Sequence, residues 1–542
     1  MVFARRSTTL LAAIIASCAM VLSLTACTSD NKTVVDGQTT VTSNSAGGVA
    51  VFTPSDGITL NQQTPLNKWA KLVPDLAKAL ADAGFKKGDI DHTTSDSLAK
   101  QSRAIQDFVV DHLSNNTTDD SGIAIAPDNM TLLVAPVVEA DASTRQYGDY
   151  VSQNLSTNDA TDGEATSDGE SSEDDSSKDD SSNTESDGTA SDEQAQAVDR
   201  LVSSLKLAKE SGMHVVLLGN SIEGYKPDAF VKFSDAQTIG KLQAEKMVSK
   251  LKLDKASKDN PKYIEVLLPY TAVDEKGNAN DSTFAQEAFR GIWQVLGSYY
   301  QKGVVESPSG TLDGKSTEND WQAVAYDAAK EGSTAKVLDK RLAKTDGQST
   351  LTRIDGIITM NDYIASEVVK ELDDLGYTGS AADINPQITI SGIVGNITGK
   401  KDLSRDAVPD PIKSPENDNA NDSSSSDDDA DKDTSSDKDR DSQWPLVTGY
   451  GAYVSNIPSI VNGKQWMTGM EDRQTIATDI AQACARLNKN EALNSMPSIR
   501  NSEVGGVKKI PTISEPLLAV SASNLKSALI DPGYISLADA GL

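Results

Sequence analysis

The chain has 542 residues, with 50 Lys and Arg against 80 Asp and Glu, which gives a net charge of −30 at neutral pH. Two low-complexity runs carry most of this negative charge. Residues 158–193 contain 14 acidic residues and one lysine, and residues 416–441 contain 11 acidic and three basic residues. The acidity argues against a nucleic-acid partner, which requires a basic face. The runs cannot bury enough apolar surface to fold and lack the spacing of a calcium loop, so we predict disordered insertions without a metal.

The first 27 residues have the three parts of a bacterial export signal. Arg5 and Arg6 precede an apolar stretch, 10–24, that is too short to cross a hydrocarbon core of about 30 Å as a helix. Residues 24–27 (Leu-Thr-Ala-Cys) then match a lipobox, in which the thiol of Cys27 takes up diacylglycerol. We therefore predict cleavage before Cys27 and lipid attachment to it. The alternative is an ordinary signal peptide with an incidental cysteine.

The segment 28–47 is rich in Ser, Thr, Asn and Gly, and this composition predicts a flexible tether. The mature chain has no later stretch of eighteen apolar residues. We expect a globular part held on the outer face of the bacterial cell membrane by the lipid on Cys27. Within that part Cys484 has no disulfide partner, and the repeat of Ile476, Ile480 and Cys484 every four residues places it on the core face of a helix. A reactive thiol is the alternative.

From residue 49 onward, short apolar runs alternate with segments of helical periodicity. The predicted strands are 49–52, 131–138, 215–218, 263–268, 354–359 and 387–391. The predicted helices lie within 66–84, 98–113, 198–212, 239–247, 284–303 and the stretch that ends at 376. This alternation is typical of parallel sheets covered by helices on both faces, so we predict an α/β fold with two Rossmann-like lobes and a hinge.

No catalytic motif is found. The three histidines, His92, His112 and His214, have no metal-ligand spacing. Residues 392–400 (GIVGNITGK) resemble a phosphate loop, but the glycine spacing differs and Lys401 stands where a hydroxyl residue is required. We therefore predict a protein that is not an enzyme and has no cofactor or metal.

Ligands of open parallel sheets bind beyond the carboxyl ends of the strands. The segments at these strand ends are 53–56, 139–141, 219–220, 269–270, 361–362 and 450–451. They contain aromatic rings, amides and carboxylates, which are the groups that stack on sugar faces and hydrogen-bond to hydroxyls.

Several motifs in these regions resemble the sugar-binding lipoproteins of ABC importers, in the ribose, galactose and xylose class of type 1 periplasmic binding proteins. The xylose and multiple-sugar binders are the most similar group. The matching segments, in chain order, are 233–235 (Phe-Ser-Asp), 239–244 (Ile-Gly-Lys-Leu-Gln-Ala), 360–362 (Met-Asn-Asp), 447–452 (Val-Thr-Gly-Tyr-Gly-Ala), 460–465 (Ile-Val-Asn-Gly-Lys-Gln) and the tail 516–534.

The resemblance implies a lobe organisation. An N-terminal lobe would span 48–231, with an acidic insertion at 157–193, and a C-terminal lobe would span 232–449, with an insertion at 412–443. Residues 450–495 would return to the N-terminal lobe and 496–542 to the C-terminal lobe.

The resemblance also implies ligand-binding residues, although most differ from the family's pattern. The family's Arg-Trp corresponds to Lys68 and Trp69, its Asp-Arg to Gly219 and Asn220, and a lysine to Glu471. The full set of predicted ligand residues is Lys68, Trp69, Asn220, Trp321, Asn361, Asp362, Tyr450 and Glu471. Trp69 could instead be core packing, Asn361 and Asp362 a helix cap, and Tyr450 and Glu471 an exposed rim. The departures leave two alternatives, a different ligand or a cleft with another use.

By this resemblance, the chain is expected to act as a monomeric solute-binding lipoprotein. It would bind a sugar or sugar-like molecule between its lobes and deliver it to an ABC permease and its ATPase. The alternative is a surface sensor or scaffold, outside transport, whose binding cleft is degenerate.

Overall fold

A computed structural model describes residues 32–35, 38–41, 46–55, 65–115, 125–138, 145–151, 153–156, 186–273, 280–328, 330–343, 351–381 and 444–542. Cys27, the export signal, half of the tether, residues 139–141, most of the first insertion (157–185), the strand predicted at 387–391 and the insertion at 412–443 lie outside the described residues. The chain forms two compact units, Met1–Ser45 and Ala46–Leu542. In the first, strands β1 and β2 pair in an antiparallel hairpin.

The strands are β1 Lys32–Val35, β2 Gln38–Val41, β3 Gly48–Pro54, β4 Ile90–Ser95, β5 Met130–Val134, β6 Asn154–Leu155, β7 His214–Leu218, β8 Ser221–Ile222, β9 Ala229–Val231, β10 Lys262–Val266, β11 Leu268–Pro269, β12 Val305–Glu306, β13 Ala325–Tyr326, β14 Gly356–Ile358, β15 Leu446–Val447, β16 Met467–Met470, β17 Ile499–Val504, β18 Val507–Ile513 and β19 Leu518–Ser521. The helices are α1 Trp69–Asp82, α2 Leu98–Asn115, α3 Ser186–Glu210, α4 Ala236–Lys250, α5 Thr283–Gln301, α6 Trp321–Val324, α7 Ser333–Arg341, α8 Asp362–Asp374, α9 Ile457–Val461 and α10 Arg473–Leu487.

A seven-stranded sheet forms the N-terminal lobe, in the order β4-β3-β5-β7-β9-β18-β17. Every pairing is parallel except that of β17, which runs antiparallel to β18 at one edge. The inner strand β5 is buried along its whole length, and its neighbours β3 and β7 are buried at all but one residue each. Continuous apolar strands of this kind are stable in water only when helices cover both faces of the sheet.

A second parallel sheet, in the order β12-β10-β14-β15, forms the C-terminal lobe. The parallel pair β11–β13 and the antiparallel pair β16–β19 extend this lobe. An isolated bridge between Tyr450 and Gly469 joins β16 to the segment that follows β15.

Helices cover both faces of each sheet, as the alternating pattern predicts. Helices α1 and α10 share one hydrophobic cluster with the seven-stranded sheet, and α2 and α3 share another. In the C-terminal lobe, α4 and α5 pack in one cluster and α7 and α8 in a second. The predicted α/β fold with two Rossmann-like lobes is confirmed.

The strand order reverses once in each sheet. In the N-terminal lobe, β4 and β5 lie on opposite sides of β3, and in the C-terminal lobe, β12 and β14 lie on opposite sides of β10. Loops that leave neighbouring strands in opposite directions open a crevice at the carboxyl ends of these strands. The segment after β14 begins with Thr359, Met360 and Asn361, so Asn361 lies beside the crevice of its lobe.

The lobe boundaries differ from those that the resemblance implies. Residues 450–470 remain in the C-terminal lobe, because Ile457, Ile460 and Met470 pack with its C-terminal tail. Residues 499–513 belong to the N-terminal lobe, where β18 pairs with β9. The side chains of Ile510 and Ile513 are fully buried there, and this burial fixes the strands in that sheet.

The end of the predicted first insertion is helical rather than disordered. Helix α3 begins at Ser186, so residues 186–193 of the acidic run form its first turns. Adding residues to an existing helix needs no new nucleus, so α3 extends from its apolar half, which is packed in the core, into the polar run.

Cys484 is fully buried on α10, as its spacing predicts, and burial raises the pKa of its thiol, which disfavours the reactive thiolate. Over the described part of the chain, no helix is both long and apolar enough to cross a membrane.

Helices α4 and α5 approach closely at two glycines. This approach provides a test of the helix packing in the C-terminal lobe. A Cβ on Gly291 would lie 2.0 Å from the carbonyl oxygen of Gln237. Overpacking costs about 1–3 kcal/mol, which exceeds the roughly 0.8–1 kcal/mol that alanine gains over glycine in a helix. Gly291→Ala should therefore lower the thermal midpoint measured by circular dichroism. Gln294→Ala, at an exposed position on the same helix, should change the stability by less than about 0.5 kcal/mol. Equal midpoints for the two variants would contradict the close packing.

Candidate functional site

Among the described residues, the chain passes between the lobes at three places: between β9 and α4, between β16 and α10, and between β18 and β19. The backbone N–H of Ser234, in the first crossing, donates to Glu471 Oε1, in the second, at 2.7 Å, and the Ser234 hydroxyl donates to the same oxygen. A cavity of about 240 Å³ lies between the first and third crossings, lined by residues 232–234 and 514–517 together with Thr238. Three short crossings that lie together form a hinge about which two lobes can rotate.

Glu471 lies inside this hinge. It is 1% exposed, and besides Ser234 its carboxylate accepts a hydrogen bond from the Tyr450 hydroxyl at 3.4 Å. Its backbone N–H donates to Asn67 Oδ1 at 3.4 Å, which links the hinge to the segment before α1. Burial raises the pKa of Glu471 to about 7, and the hydrogen bonds from Ser234 and Tyr450 limit the rise. Glu471 and Tyr450 are therefore buried groups of the hinge and not parts of an exposed rim.

Asn361 and Asp362 follow strand β14 and begin helix α8. Asn361 Oδ1 accepts from the backbone N–H of Ile364 at 2.9 Å, which caps the helix. Its amide nitrogen points away from the helix and donates to Gln146 Oε1 at 3.1 Å. Asn361 therefore serves as a helix cap and also presents a donor on the strand-end side of its sheet.

The Asp362 carboxylate is completely buried. It accepts from Gln465 Nε2 at 2.7 Å, from Thr468 Oγ1 at 2.9 Å and from the backbone N–H of Tyr453 at 2.9 Å. Burial raises its pKa to about 6, and these donors limit the rise. A Cβ on Gly449 would lie 2.1 Å from Asp362 Oδ1, so only glycine at 449 permits this network. The contacts show Asp362 positioning the 449–453 loop and β16.

Lys68 and Trp69 stand at the start of α1, in the N-terminal lobe. The Trp69 ring is buried and meets Tyr150 and Phe233 edge-on, with centroid distances of 5.1 and 5.7 Å. The ammonium group of Lys68 lies 2.7 Å from Asp149 Oδ1, and the other oxygen of Asp149 accepts from the backbone N–H of Trp69 at 3.0 Å. The carboxylate thus sits at the positive end of the helix dipole, where negative charge is favourable.

Asn220 and Trp321 lie further from this group. Asn220 donates to the carbonyl of Pro136 at 2.9 Å and accepts from the N–H of Gln153 at 2.9 Å, so it holds two loops of the N-terminal lobe together. Trp321 packs edge-on against Tyr270, with centroids 5.1 Å apart, in the same hydrophobic cluster as Tyr450.

Residues 146–150, which we call the bridging segment, connect the two strand-end faces. Toward the C-terminal lobe, the Gln146 carbonyl accepts from the Tyr453 hydroxyl at 2.7 Å, and the Tyr147 ring packs on Phe284 with centroids 4.6 Å apart. Toward the N-terminal lobe, Asp149 and Tyr150 contact the start of α1. The predicted residues Lys68, Trp69 and Asn361 all meet this one segment.

The structure therefore brings six of the eight predicted residues into one connected region and leaves Asn220 and Trp321 at its edge. Ligand contact by any of them stays a prediction. Sequence reasoning missed the bridging segment, together with Asn67 and Tyr453. A signal was present, because Tyr147 and Tyr150 flank a Gly-Asp pair, and aromatic residues around turn residues are typical of an ordered loop. The described residues contain no group of three or more His, Cys, Asp or Glu able to hold a metal ion.

No protein-family model and no curated protein matches the chain. Among solved structures, it is similar to an ABC transporter solute-binding protein from Clostridium phytofermentans with bound β-D-glucose, at 16% identity over 91% of this chain and 99% of that chain, with a TM-score of 0.45. It is also similar to a carbohydrate transporter solute-binding protein from Chloroflexus aurantiacus in complex with D-glucose, at 18% identity over 92% and 98% of the chains, with a TM-score of 0.43. A third is an arabinose-binding protein from Geobacillus stearothermophilus, at 10% identity over 89% and 99%, with a TM-score of 0.42.

The hinge carboxyl of Glu471 makes stability depend on pH. Its pKa is about 7 in the folded chain against 4.5 for an ordinary glutamate, so its favourable contribution is fully present below about pH 4.5 and is lost as the pH rises through 7. Glu471→Gln keeps an acceptor oxygen and removes the titration. Its thermal midpoint should fall less than that of the wild type between pH 5 and 8.

The control for this comparison is Glu318→Gln, at an exposed position, which should keep the wild-type pH dependence. Asp362, with a pKa of about 6, contributes the same pH dependence to all three proteins, so the difference isolates Glu471. Parallel curves for Glu471→Gln and the wild type would show that the hinge carboxyl is not buried.

Proposed function

We propose that this chain is a monomeric solute-binding lipoprotein, anchored through Cys27 on the outer face of the cell membrane. It binds a sugar or sugar-like molecule between its lobes and delivers it to an ABC permease. The observation that carries the proposal is that three short crossings connect two parallel sheets, and that one segment, 146–150, contacts the start of α1 in one lobe and Asn361 at a strand end of the other. Closure of two such lobes buries a small ligand between them.

The groups gathered at the strand ends fit a neutral, hydroxylated ligand. Asn361 offers an amide donor, Lys68 and Asp149 form an ion pair, and Tyr450 and Trp69 supply aromatic surface. Rings pack on the apolar faces of a sugar, while amides and charged groups pair with its hydroxyls. Among the described residues, Glu471 and Asp362 are buried without a basic partner, which argues against an anionic ligand, because a second negative charge near them would raise the electrostatic cost.

A second candidate is a surface sensor or scaffold that does not transport. This candidate is favoured because predicted ligand residues hydrogen-bond to other groups of the chain. Both carboxylate oxygens of Asp362 and the Oε1 atom of Glu471 accept from the chain's own donors, and Asn361 donates to Gln146. A cleft of this kind is complete without a ligand.

Thermal shift in the presence of sugars separates the two candidates. D-xylose, D-ribose, D-galactose and D-glucose are the probes, and a sugar at about 100 times its Kd should add about 2.7 kcal/mol of stability. Asn361→Ala should abolish the shift, whereas Asn319→Ala, at an exposed position, should retain it. Because loss of the cap alone costs about 1 kcal/mol, each shift is measured against the same variant without sugar. The absence of any shift in the wild type would favour the sensor or scaffold.

The anchor is tested separately. Cys27→Ser should move the protein from the membrane fraction to the culture medium, because the lipid would have no attachment site. Cys18→Ser is the matched control, since Cys18 lies in the apolar part of the export signal, and it should leave the protein on the membrane. Retention of Cys27→Ser on the membrane at the wild-type level would contradict lipid anchoring.

A further inference from the structure

The bridging segment contacts the N-terminal lobe as a ligand of that lobe would. Asp149 accepts from the ammonium group of Lys68 at 2.7 Å and from the N–H of Trp69 at 3.0 Å, and its own N–H donates to the carbonyl of Asn67 at 2.8 Å. The Tyr150 hydroxyl donates to the carbonyl of Lys68 at 2.5 Å. Polar groups at the start of α1 are therefore paired with this segment.

The same segment contacts the C-terminal lobe three residues earlier. Gln146 accepts from the Asn361 amide at 3.1 Å and from the Tyr453 hydroxyl at 2.7 Å. The Tyr147 ring is 1% exposed and lies 4.6 Å from the Phe284 ring and 6.2 Å from the Tyr450 ring, measured between centroids. An amide group and an aromatic ring thus fill positions that a sugar hydroxyl and a sugar face would take.

The backbone conformation of Gly148 keeps the bridging segment in this place. Gly148 has φ of +97°, and a Cβ there would lie 2.5 Å from the carbonyl oxygen of Asn67. Only glycine allows this approach to the start of α1 without strain. The turn at Gly148 directs Gln146 and Tyr147 to one lobe and Asp149 and Tyr150 to the other.

We propose that residues 146–150 are an internal occupant of the interlobe cleft, which holds the lobes together without ligand and must leave before a solute can bind. Only the second half of this inference, that the segment must leave before a solute can bind, rests on the proposed function. A protein whose cleft is open for a fraction of the time binds its ligand with an affinity reduced by that fraction. The segment therefore sets the threshold concentration at which the solute is captured.

The first half is tested without any sugar, by amide hydrogen exchange of the full chain. The N–H of Leu66 donates to the carbonyl of Gly451 at 2.8 Å, across the lobes, and its exchange reports their separation. In the double variant Gln146→Ala/Tyr147→Ala, the peptide containing Leu66 should exchange about tenfold faster or more. Strand β7, inside the N-terminal lobe, should exchange at the wild-type rate, which distinguishes lobe opening from unfolding.

Asn154→Ala is the control, because Asn154 is exposed and bonds only to Ser221 through its side chain among the described contacts. It should leave Leu66 unchanged. If the double variant unfolds, Gln146→Ala alone removes one side-chain contact and should give a smaller rise at Leu66. Wild-type exchange at Leu66 in a folded variant would overturn the proposal.

The second half is tested by calorimetric titration with D-xylose and D-glucose. The double variant should bind a sugar about tenfold more tightly than the wild type, because no internal occupant competes. Weaker binding would make the segment part of the ligand site and overturn its role as a competitor, and so would equal binding. If neither protein binds any sugar of the panel, the proposed function fails, and the exchange of Leu66 still decides whether the segment holds the lobes.

Discussion

The hydrogen bonds between Glu471 and Ser234 are the interaction on which the relation of the two lobes depends. They join two of the crossings at a point that is closed to solvent, and Tyr450 adds a hydroxyl from the C-terminal lobe. Within the described part of the chain the carboxylate has hydrogen-bond donors but no basic partner, so burial raises its pKa toward neutrality. A hinge built in this way is held by directional hydrogen bonds.

The polar side chains of the cleft are likewise hydrogen-bonded to other groups of the chain. Asp362 holds the 449–453 loop, Asn361 both caps α8 and meets Gln146, and Lys68 is paired with Asp149. An incoming solute would have to exchange its own hydrogen bonds for some of these, and such exchange has a small net free energy compared with filling an empty, unpaired site. Selectivity in a cleft of this kind would come from the fit of the ligand to groups released by the bridging segment.

Much of the fold follows from the sequence because the signal is local. The four-residue spacing of Ile476, Ile480 and Cys484 and the apolar run 215–218 each determine one element, and helices on both faces follow from continuous apolar strands. The local sequence does not determine to which lobe a segment near the end of the chain belongs. Strands β17 and β18 could be assigned only from the burial of Ile510 and Ile513 against strands several hundred residues earlier.

The site was less predictable for a related reason. The motifs quoted for the resemblance include Asn361 and Trp69, and residues 146–150 lie in none of them. The bridging segment lies between the strand-end residues 139–141 and the acidic run. The composition of this part of the chain is dominated by charge and does not indicate a role for Tyr147 and Tyr150. Whether Glu471 faces a ligand or a hinge depends on Ser234, 237 residues away in the sequence.

Whether a solute replaces the bridging segment is tested most directly by the exchange of two amides in the wild-type chain as the best-binding sugar is added. The Asp149 amide, bonded to the carbonyl of Asn67, reports whether the bridging segment is in place, and the Leu66 amide reports whether the lobes are together. If a solute replaces the segment between closed lobes, Asp149 exchanges faster at saturation while Leu66 stays slow. Slower or unchanged exchange at Asp149 in the saturated protein would show that the solute does not replace the segment.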